Sequence, residues 1–307
     1  MDGSSGPLYQ SSRFPTLFTV MVPEPKSPDM QKDRCHVSIL TDYTSVFMNR
    51  QSANWNLLTD MEIGVVTPVI DVRVCHDLSV GFSIPFISFS PGFLDGPLAD
   101  YHKFGHFPDY GRKYKPKNEF EWVVTKDGKP WFTPTVYGFH PGDCRFSMKY
   151  SLIENPSFAS ALLYAVTLPT GDAKTGFGSG GVDHGVSLLS RFSKGPFALY
   201  LNPGVILPHD PETLGADIHY RTMYTLFGGI EYVYSPHWSY LIQLNTFTSP
   251  LSGTGITILD DPSVDIAFGF IRRFDHGSQF TFSFCEDLSG AVPDFTFHAG
   301  FETHFDL

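Results

Sequence analysis

The sequence predicts an all-β chain, a twelve-stranded antiparallel transmembrane β-barrel with a long structured loop. Three observations carry that prediction. First, twelve segments alternate apolar and polar side chains: 35–47, 60–73, 78–88, 143–153, 158–168, 182–192, 197–207, 220–234, 238–248, 263–274, 278–285 and 295–305. Most exceed the ~5–6 residues of a soluble strand and match the roughly 9–11 that a tilted strand needs to cross a bilayer. Second, the connections alternate in length. Tight turns such as Cys75-His76-Asp77, Ser235-Pro236-His237 and Asp275-His276-Gly277 are interleaved with long links at 48–59, 89–142, 169–181, 208–219, 249–262 and 286–294. One rim therefore carries turns and the other carries loops, as in outer-membrane barrels. Third, the faces differ in kind. In the last segment Phe295, Phe297, Ala299, Phe301 and Phe305 share one side, and Thr296, His298, Gly300, Glu302 and His304 the other. The polar faces are mostly Gly, Ser, Thr and Ala with isolated charges, unlike the Lys- and Glu-rich exterior of a soluble sandwich.

Composition agrees. Of 307 residues, 15% are aromatic (29 Phe, 14 Tyr, 4 Trp) and 17% charged, against about 25% charged in an average domain. This excludes a highly charged disordered chain. The net charge of −11 argues against a nucleic-acid partner, which demands clustered Lys and Arg. No stretch approaches the ~18–20 apolar residues of a spanning helix. The negative charge falls in loops, arm and lumen, where it biases solutes towards cations.

Residues 1–33 form an irregular N-terminal arm, expected on the periplasmic side or tucked into the lumen; 34–307 form the barrel. The arm's apolar run, Thr16–Val22, is too short to cross a membrane. No signal peptide opens the chain; with a barrel the expected location is the bacterial outer membrane, with a signal peptide removed. Tyr43, Tyr220, Tyr234 and Tyr240 lie near segment ends, as aromatic girdles do. The insertion 89–142 is expected either outside the cell or folded into the lumen. Within it a helix starts near Asp95, with Leu98, Tyr101 and His102 at i, i+3, i+4. Phe120 to Phe132 reads as a hairpin turning at Lys126-Asp127-Gly128.

These residues also carry a family resemblance. Gly92-Phe-Leu-Asp95, followed by His102, Phe104-Gly105, Pro108 and Arg112, resembles the motif of a Gram-negative family, domain of unknown function 3187. Asp60-Met61-Glu62 and Leu168-Pro-Thr-Gly-Asp172 are similar to it as well, although Met61 stands where Gly is expected. The resemblance runs from about residue 7 to the end. It implies an outer-membrane barrel and supplies no catalytic residues. The closing run Gly300–Leu307 resembles a bacterial barrel-assembly signal, ending in Leu rather than Phe.

The ionisable residues expected on the inner face are His36, Asp42, Glu62, Asp71, Arg73, Arg145, Lys149, Arg191, Arg221, Glu231, Asp265 and Glu302. For Glu62 and Asp71 both to point inward, a bulge at Pro68 must flip the strand's parity. Such a set acts either as a charged constriction or as an internal salt-bridge network filling a closed barrel. Cys35 and Cys75 fall at one rim of adjacent strands and could form a disulfide; the alternative is free thiols. Cys144 and Cys285 are on strands that are not neighbours. His102 and His106, with Asp95 and Asp109 nearby, have only weak metal spacing, so no metal or cofactor is expected. Gly171–Gly181 lacks the order of a phosphate loop.

The leading functional expectation is a porin-like channel or transporter for small polar solutes. The alternative is a structural barrel that sheathes or anchors a periplasmic or surface protein, for example an electron-transfer cytochrome. A third reading, a membrane hydrolase acting on lipid or polysaccharide, lacks any nucleophile elbow. Membrane lipid is the expected surrounding.

Overall fold

The computed structural model describes residues 5–11, 20–21, 24–30, 34–105, 116–135, 137–290, 293 and 295–305. A tall hairpin, β1 (Cys35–Gln51) and β2 (Trp55–Cys75), begins the sheet. Next come β3 (Leu78–Ser83) and β4 (Phe86–Ser90), two halves of one track. They pair with β2 in one continuous register, Val69↔Ser83 and Val66↔Phe86, on either side of a break at Ile84-Pro85. Pro68 and Pro85 have no N–H to give to the ladder, which accounts for the break. The insertion adds α1 (Asp95–Gly105) and a small hairpin, β5 (Glu121–Lys126) and β6 (Lys129–Pro130). Asp127 and Gly128 both have positive φ at its turn, the geometry that suits a two-residue hairpin.

The wall continues through β7 (His140–Pro141), β8 (Cys144–Glu154), β9 (Phe158–Leu168), β10 (Asp183–Lys194), β11 (Phe197–Leu207), β12 (Met223–Ser235) and β13 (Trp238–Phe247). It ends with the short helix α2 (Thr257–Asp260), then β14 (Ser263–Arg273), β15 (Gln279–Asp287) and β16 (Phe295–Phe305). β16 closes on β1 from Cys35↔Phe305 to Ser45↔Phe295. The result is a closed twelve-stranded antiparallel barrel, as the alternating pattern predicts.

Burial is inverted relative to a soluble protein. On β12, Ile230 is 48% exposed whereas its neighbour Glu231 is 0% exposed. Leu199, Leu226, Ile242 and Phe268 are likewise exposed, while Asp42, Gln243, Asp265 and His298 are buried. An apolar exterior and a polar interior are what a bilayer requires of a barrel wall.

Two sequence expectations change here. The link expected at 48–59 shrinks to three residues, because β1 and β2 extend to Gln51 and Trp55 and pair throughout. The second edge of that tall hairpin is covered by β5, which pairs from Trp55↔Lys126 to Asp60↔Glu121. Nor does parity flip at Pro68: β1 and β2 hold one register from Cys35↔Val72 to Gln51↔Asn56. Glu62 and Asp71 therefore point to opposite faces.

Candidate functional site

The lumen is organised in three levels. The loop-side end is apolar. Residues pointing inward from the tall strands, including Met48, Leu57, Met61 and Ile63, meet aromatic side chains from the loops. Phe89 stacks on Phe177 at 4.8 Å and meets Trp122 at 4.7 Å, and Trp122 lies 4.2 Å from Phe132. Trp55 and Trp131 are 6.3 Å apart on the same lid. The strand pairing explains the aim: Thr59 and Leu57 face inward, so their partners Trp122 and Val124 do too. The insertion thus lays its hairpin against the tall strands, with Trp122 and Val124 turned into the loop-side end of the lumen.

Its helix does something different. Asp42 points into the lumen, so Tyr43 and its diagonal neighbour Glu62 point outward. Glu62 is nevertheless buried, because the segment before α1 folds over it. The carboxylate accepts the backbone N–H of Phe93 at 2.8 Å and of Leu94 at 2.5 Å, and the Tyr43 hydroxyl donates to it. Phe93 also stacks on the Tyr43 ring at 5.8 Å. Gly92 is needed at φ +70°, and a Cβ there would sit 1.8 Å from Glu62 Cδ. Glu62 is thus a bracket for the insertion on the barrel's outer face, not a lumen residue. Asp95 begins α1 and accepts the Asn118 N–H at 2.6 Å, tying the far end of the insertion back. Leu98 is buried. Arg112, His106, Asp109 and the side chain of His102 lie outside the described residues.

The middle level is filled by the described stretches of the N-terminal arm. Residues 5–11 lie against β12 to β16 and β1. Ser5 and Gly6 donate their backbone N–H groups to Glu231, at 3.2 and 3.1 Å. Leu8 exchanges two backbone bonds with the Gln243 amide, each 3.1 Å, and packs on Leu241 and Ile271. Gly269 makes room for it: a Cβ there would be 2.7 Å from Leu8 Cδ1. Tyr9 donates to Asp42 at 3.1 Å, and the Gln10 amide donates to Asp265 at 2.5 Å. Residues 20–21 and 24–30 lie against the opposite wall. Asp183 accepts the Met21 N–H at 2.7 Å. Glu24 pairs with Arg145 at 2.8 Å, and Asp29 binds Arg191 through two 2.7 Å contacts. Lys149 donates to the carbonyls of Ser27 (3.2 Å) and Asp29 (2.6 Å).

Wall residues also pair with one another. Arg273 meets Glu231 at 2.8 Å, with Tyr200 donating to the same carboxylate. His298 contacts Asp42 at 2.5 Å and His36 contacts Glu302 at 3.2 Å. At the third level, on the turn side, a cavity of about 470 Å³ remains between arm and wall. It is lined by Asp71, Arg145, Lys149 and Glu302 of the wall, with Glu24 and Lys26 of the arm. Lys26 approaches Asp71 at 3.8 Å.

Asp71, Arg145, Lys149 and Glu302 therefore share one cavity, while Glu231 and Asp265 lie with the arm's first stretch. Arg73 has the parity of Asp71 and sits near the turn-side rim. Arg221 is a correction: β12 starts at Met223, and Arg221 is exposed on the loop side, where it donates to the carbonyls of Ser249 and Asp260. The disulfide is a second correction, since Cys35 and Cys75 are free thiols. Cys35 is opposite Val72, so Cys75 is three residues further along, about 10 Å away and beyond bridging distance. Among the described residues no group of His, Cys, Asp and Glu is arranged to hold a metal.

The loops have their own electrostatics. Asp210 accepts from His219 at 2.7 Å and from the Tyr220 N–H at 2.7 Å. The histidine holds the Asp210 carboxyl below its usual range, and Asp210 with Asp217 raises His219. Asp143, which accepts the N–H groups of Gly171 and Ser179 at 2.8 and 2.7 Å, is pushed up by burial against the lowering effect of those bonds.

Sequence reasoning missed the arm as a ligand of the wall. Glu24 and Asp29 carry a signal for it, being acidic residues in a stretch with no strand pattern, beside a wall with spare cations. Gln243 and Tyr200 carry none, since inward amides and phenols are ordinary lumen filling.

Fold and lumen together define a transmembrane β-barrel with the described parts of its own N-terminal arm inside it. The chain belongs to the family described as protein of unknown function DUF3187, which matches residues 1–305. No curated protein matches it. Among solved structures it resembles the COG4313 outer membrane channel from Pseudomonas putida F1, with a TM-score of 0.60 at 14% identity over 92% of this chain and 99% of that one. It also resembles the NanC porin, with a TM-score of 0.51 at 5% identity over 88% and 100%. These likenesses show a common fold.

Proposed function

We propose that this protein is an outer-membrane channel for small polar solutes, held closed in the described state by its N-terminal arm. The observation that carries the reading is how the wall charges are matched. Arg145, Lys149, Arg191 and Asp265 are met by groups of the arm. Four ionisable groups of the wall thus take a partner from a segment that is not part of the sheet. The arm is held largely by polar contacts, which water and a polar solute can replace without exposing much apolar surface. The turn-side cavity gives such a solute room beside the arm. The two similar structures, a channel and a porin, agree with this reading.

Planar-bilayer recording tests it on the full chain. Wild-type protein should conduct rarely and in brief openings. The double variant Glu24→Gln/Asp29→Asn, which removes the arm's hold on Arg145 and Arg191, should open more often and for longer. Silence from both proteins, each shown to be folded by its heat-modifiable mobility in gels, would refute the channel.

A further inference from the structure

We infer that the start of the insertion and α1 form an in-plane anchor in the loop-side leaflet of the membrane, with Phe93, Pro97 and Phe104 seated where lipid headgroups meet acyl chains. The inference goes beyond the channel reading and stands or falls apart from it. Register sets the height. Ser45 of β1 is opposite Glu62 on one side and Phe295 on the other, so Glu62 is level with the loop-side start of β16. Two residues further into the membrane, Tyr43 is opposite Phe297 and Gly64, and Gly64 is opposite Ser88. Opposite residues share a face, so all four point outward. Phe282, Phe284 and Phe297 make an aromatic belt on β15 and β16, of the kind that marks a membrane boundary. At Gly64 and Ser88 the wall carries no large side chain. Phe93 supplies one: it stacks on Tyr43 at 5.8 Å, at that same height, and remains 65% exposed. The segment thus continues a surface that already faces lipid.

The faces of α1 agree. The Phe93 and Leu94 N–H groups on Glu62 fix its entry to the outer wall. Leu98 is buried and marks the packed side. With ~3.6 residues per turn, Pro97 and Phe104, seven residues apart, share one flank. Asp100 and Lys103, three apart, share the next. All four are exposed, Phe104 at 86%. Tyr137 and Phe139, beside β4 in the same sector of the wall, are exposed too. A helix with one apolar and one charged flank, moored beside a lipid-facing wall, lies in the interface with the first flank towards the acyl chains and the second towards water. The occupant of this surface is therefore membrane lipid.

Nitroxide labelling of the full chain in phospholipid vesicles tests the inference. Cys75 is the exposed thiol among the four, so Cys75→Ser provides the background. Labels on Phe104→Cys and Pro97→Cys should collide more with oxygen, which dissolves among acyl chains, than with a water-soluble nickel chelate. Labels on Asp100→Cys and Lys103→Cys should show the reverse. Pro97→Cys carries the measurement if Phe104→Cys does not refold, as judged by heat-modifiable mobility. Without any label, Phe104→Ser should speed exchange at the Phe93 and Leu94 amides in vesicles by about tenfold, the loss expected when a phenyl ring no longer leaves water. Asp100→Ser should leave that exchange unchanged. Equal collision ratios on the two flanks, or a nickel-dominated label at position 104, overturn the inference. So does spin–spin broadening at 104 that vanishes on dilution with unlabelled protein, because a second copy is then the occupant. Silent bilayers from protein whose label at 104 is lipid-exposed would refute the channel alone.

Discussion

Glu231→Gln isolates a fully buried charge in the lumen. The carboxylate is fully buried and its partner guanidinium, on Arg273, is 15% exposed, with 2.8 Å between them. Tyr200 donates to it at 2.8 Å, and the N–H groups of Ser5 and Gly6 complete the shell. The amide is isosteric, so packing is kept. One oxygen becomes a donor facing other donors, and Arg273 is left as a buried charge whose counter-ion is gone. Breaking one side of a buried pair costs about 3–5 kcal/mol. The bond to the Ser239 hydroxyl at 2.6 Å offsets a part of that. Urea unfolding of the refolded barrel in lipid, followed by tryptophan fluorescence, should therefore show a loss near the lower end of this range. Amide exchange at Gly6 should rise in step, because the arm loses the acceptor that holds its first stretch. Arg273→Met in the Glu231→Gln background should recover a large part of the loss, since the orphaned charge is then removed. A loss of less than about 1 kcal/mol, the value of an exposed pair, with no recovery in the double variant, would refute the view that this pair anchors the arm.

Three further outcomes follow from the same geometry. Gly92→Ala should detach the start of the insertion without opening the barrel, costing at least about 1–2 kcal/mol from left-handed backbone alone, before the clash with Glu62; the readout is faster exchange at the Phe93 and Leu94 amides with unchanged heat-modifiability. His219 is raised above its ordinary 6.5, so its hold on the 208–222 loop should be complete below that pH and fade as pH rises through the raised value. Asp210 is lowered from 3.8, so its share should be complete above that value and be lost as pH falls through the lowered one; an NMR titration should place the His219 midpoint above 6.5 and Asp210→Asn should bring it down. Finally, maleimide should label Cys75 in the folded protein and Cys35 only after unfolding, because the first is exposed and the second buried; equal labelling would contradict the register of β1 and β2.

The barrel was legible because a membrane wall is specified locally. Each strand declares its faces by period-2 alternation, and each tight turn by residues such as Asp127-Gly128 or His76-Asp77. The strands at 158–168, 197–207 and 295–305 appear with those bounds in the structure. Glu62 shows where local reading stops. As an ionisable residue within a strand it is expected on the inner face, and a parity flip at Pro68 is then needed to reconcile it with Asp71. The strand keeps one register, and the burial comes from a segment thirty residues away that folds over the outer wall. Alternation tells that two faces differ; it does not tell what a distant loop lays upon either one.

The arm makes the same point about function. Nothing in the sequence of the arm reads as an element, and its described residues take most of their hydrogen-bond partners from the wall. Yet Tyr9 and Gln10 reach Asp42 and Asp265, while Glu24 and Asp29 reach Arg145 and Arg191 on the opposite wall. The set of ionisable inner residues, taken from the strands alone, allowed a constriction or a self-paired network. The structure divides that set. Glu231 with Arg273, Asp42 with His298 and Glu302 with His36 are paired across the wall. Arg145, Lys149 and Arg191 are matched by a segment that enters from outside the sheet. A scaffold needs only the first kind of pairing. The second kind ties three cations to a segment outside the sheet, so substitutions at Arg145, Lys149 and Arg191 are the ones that separate a channel from a filled barrel.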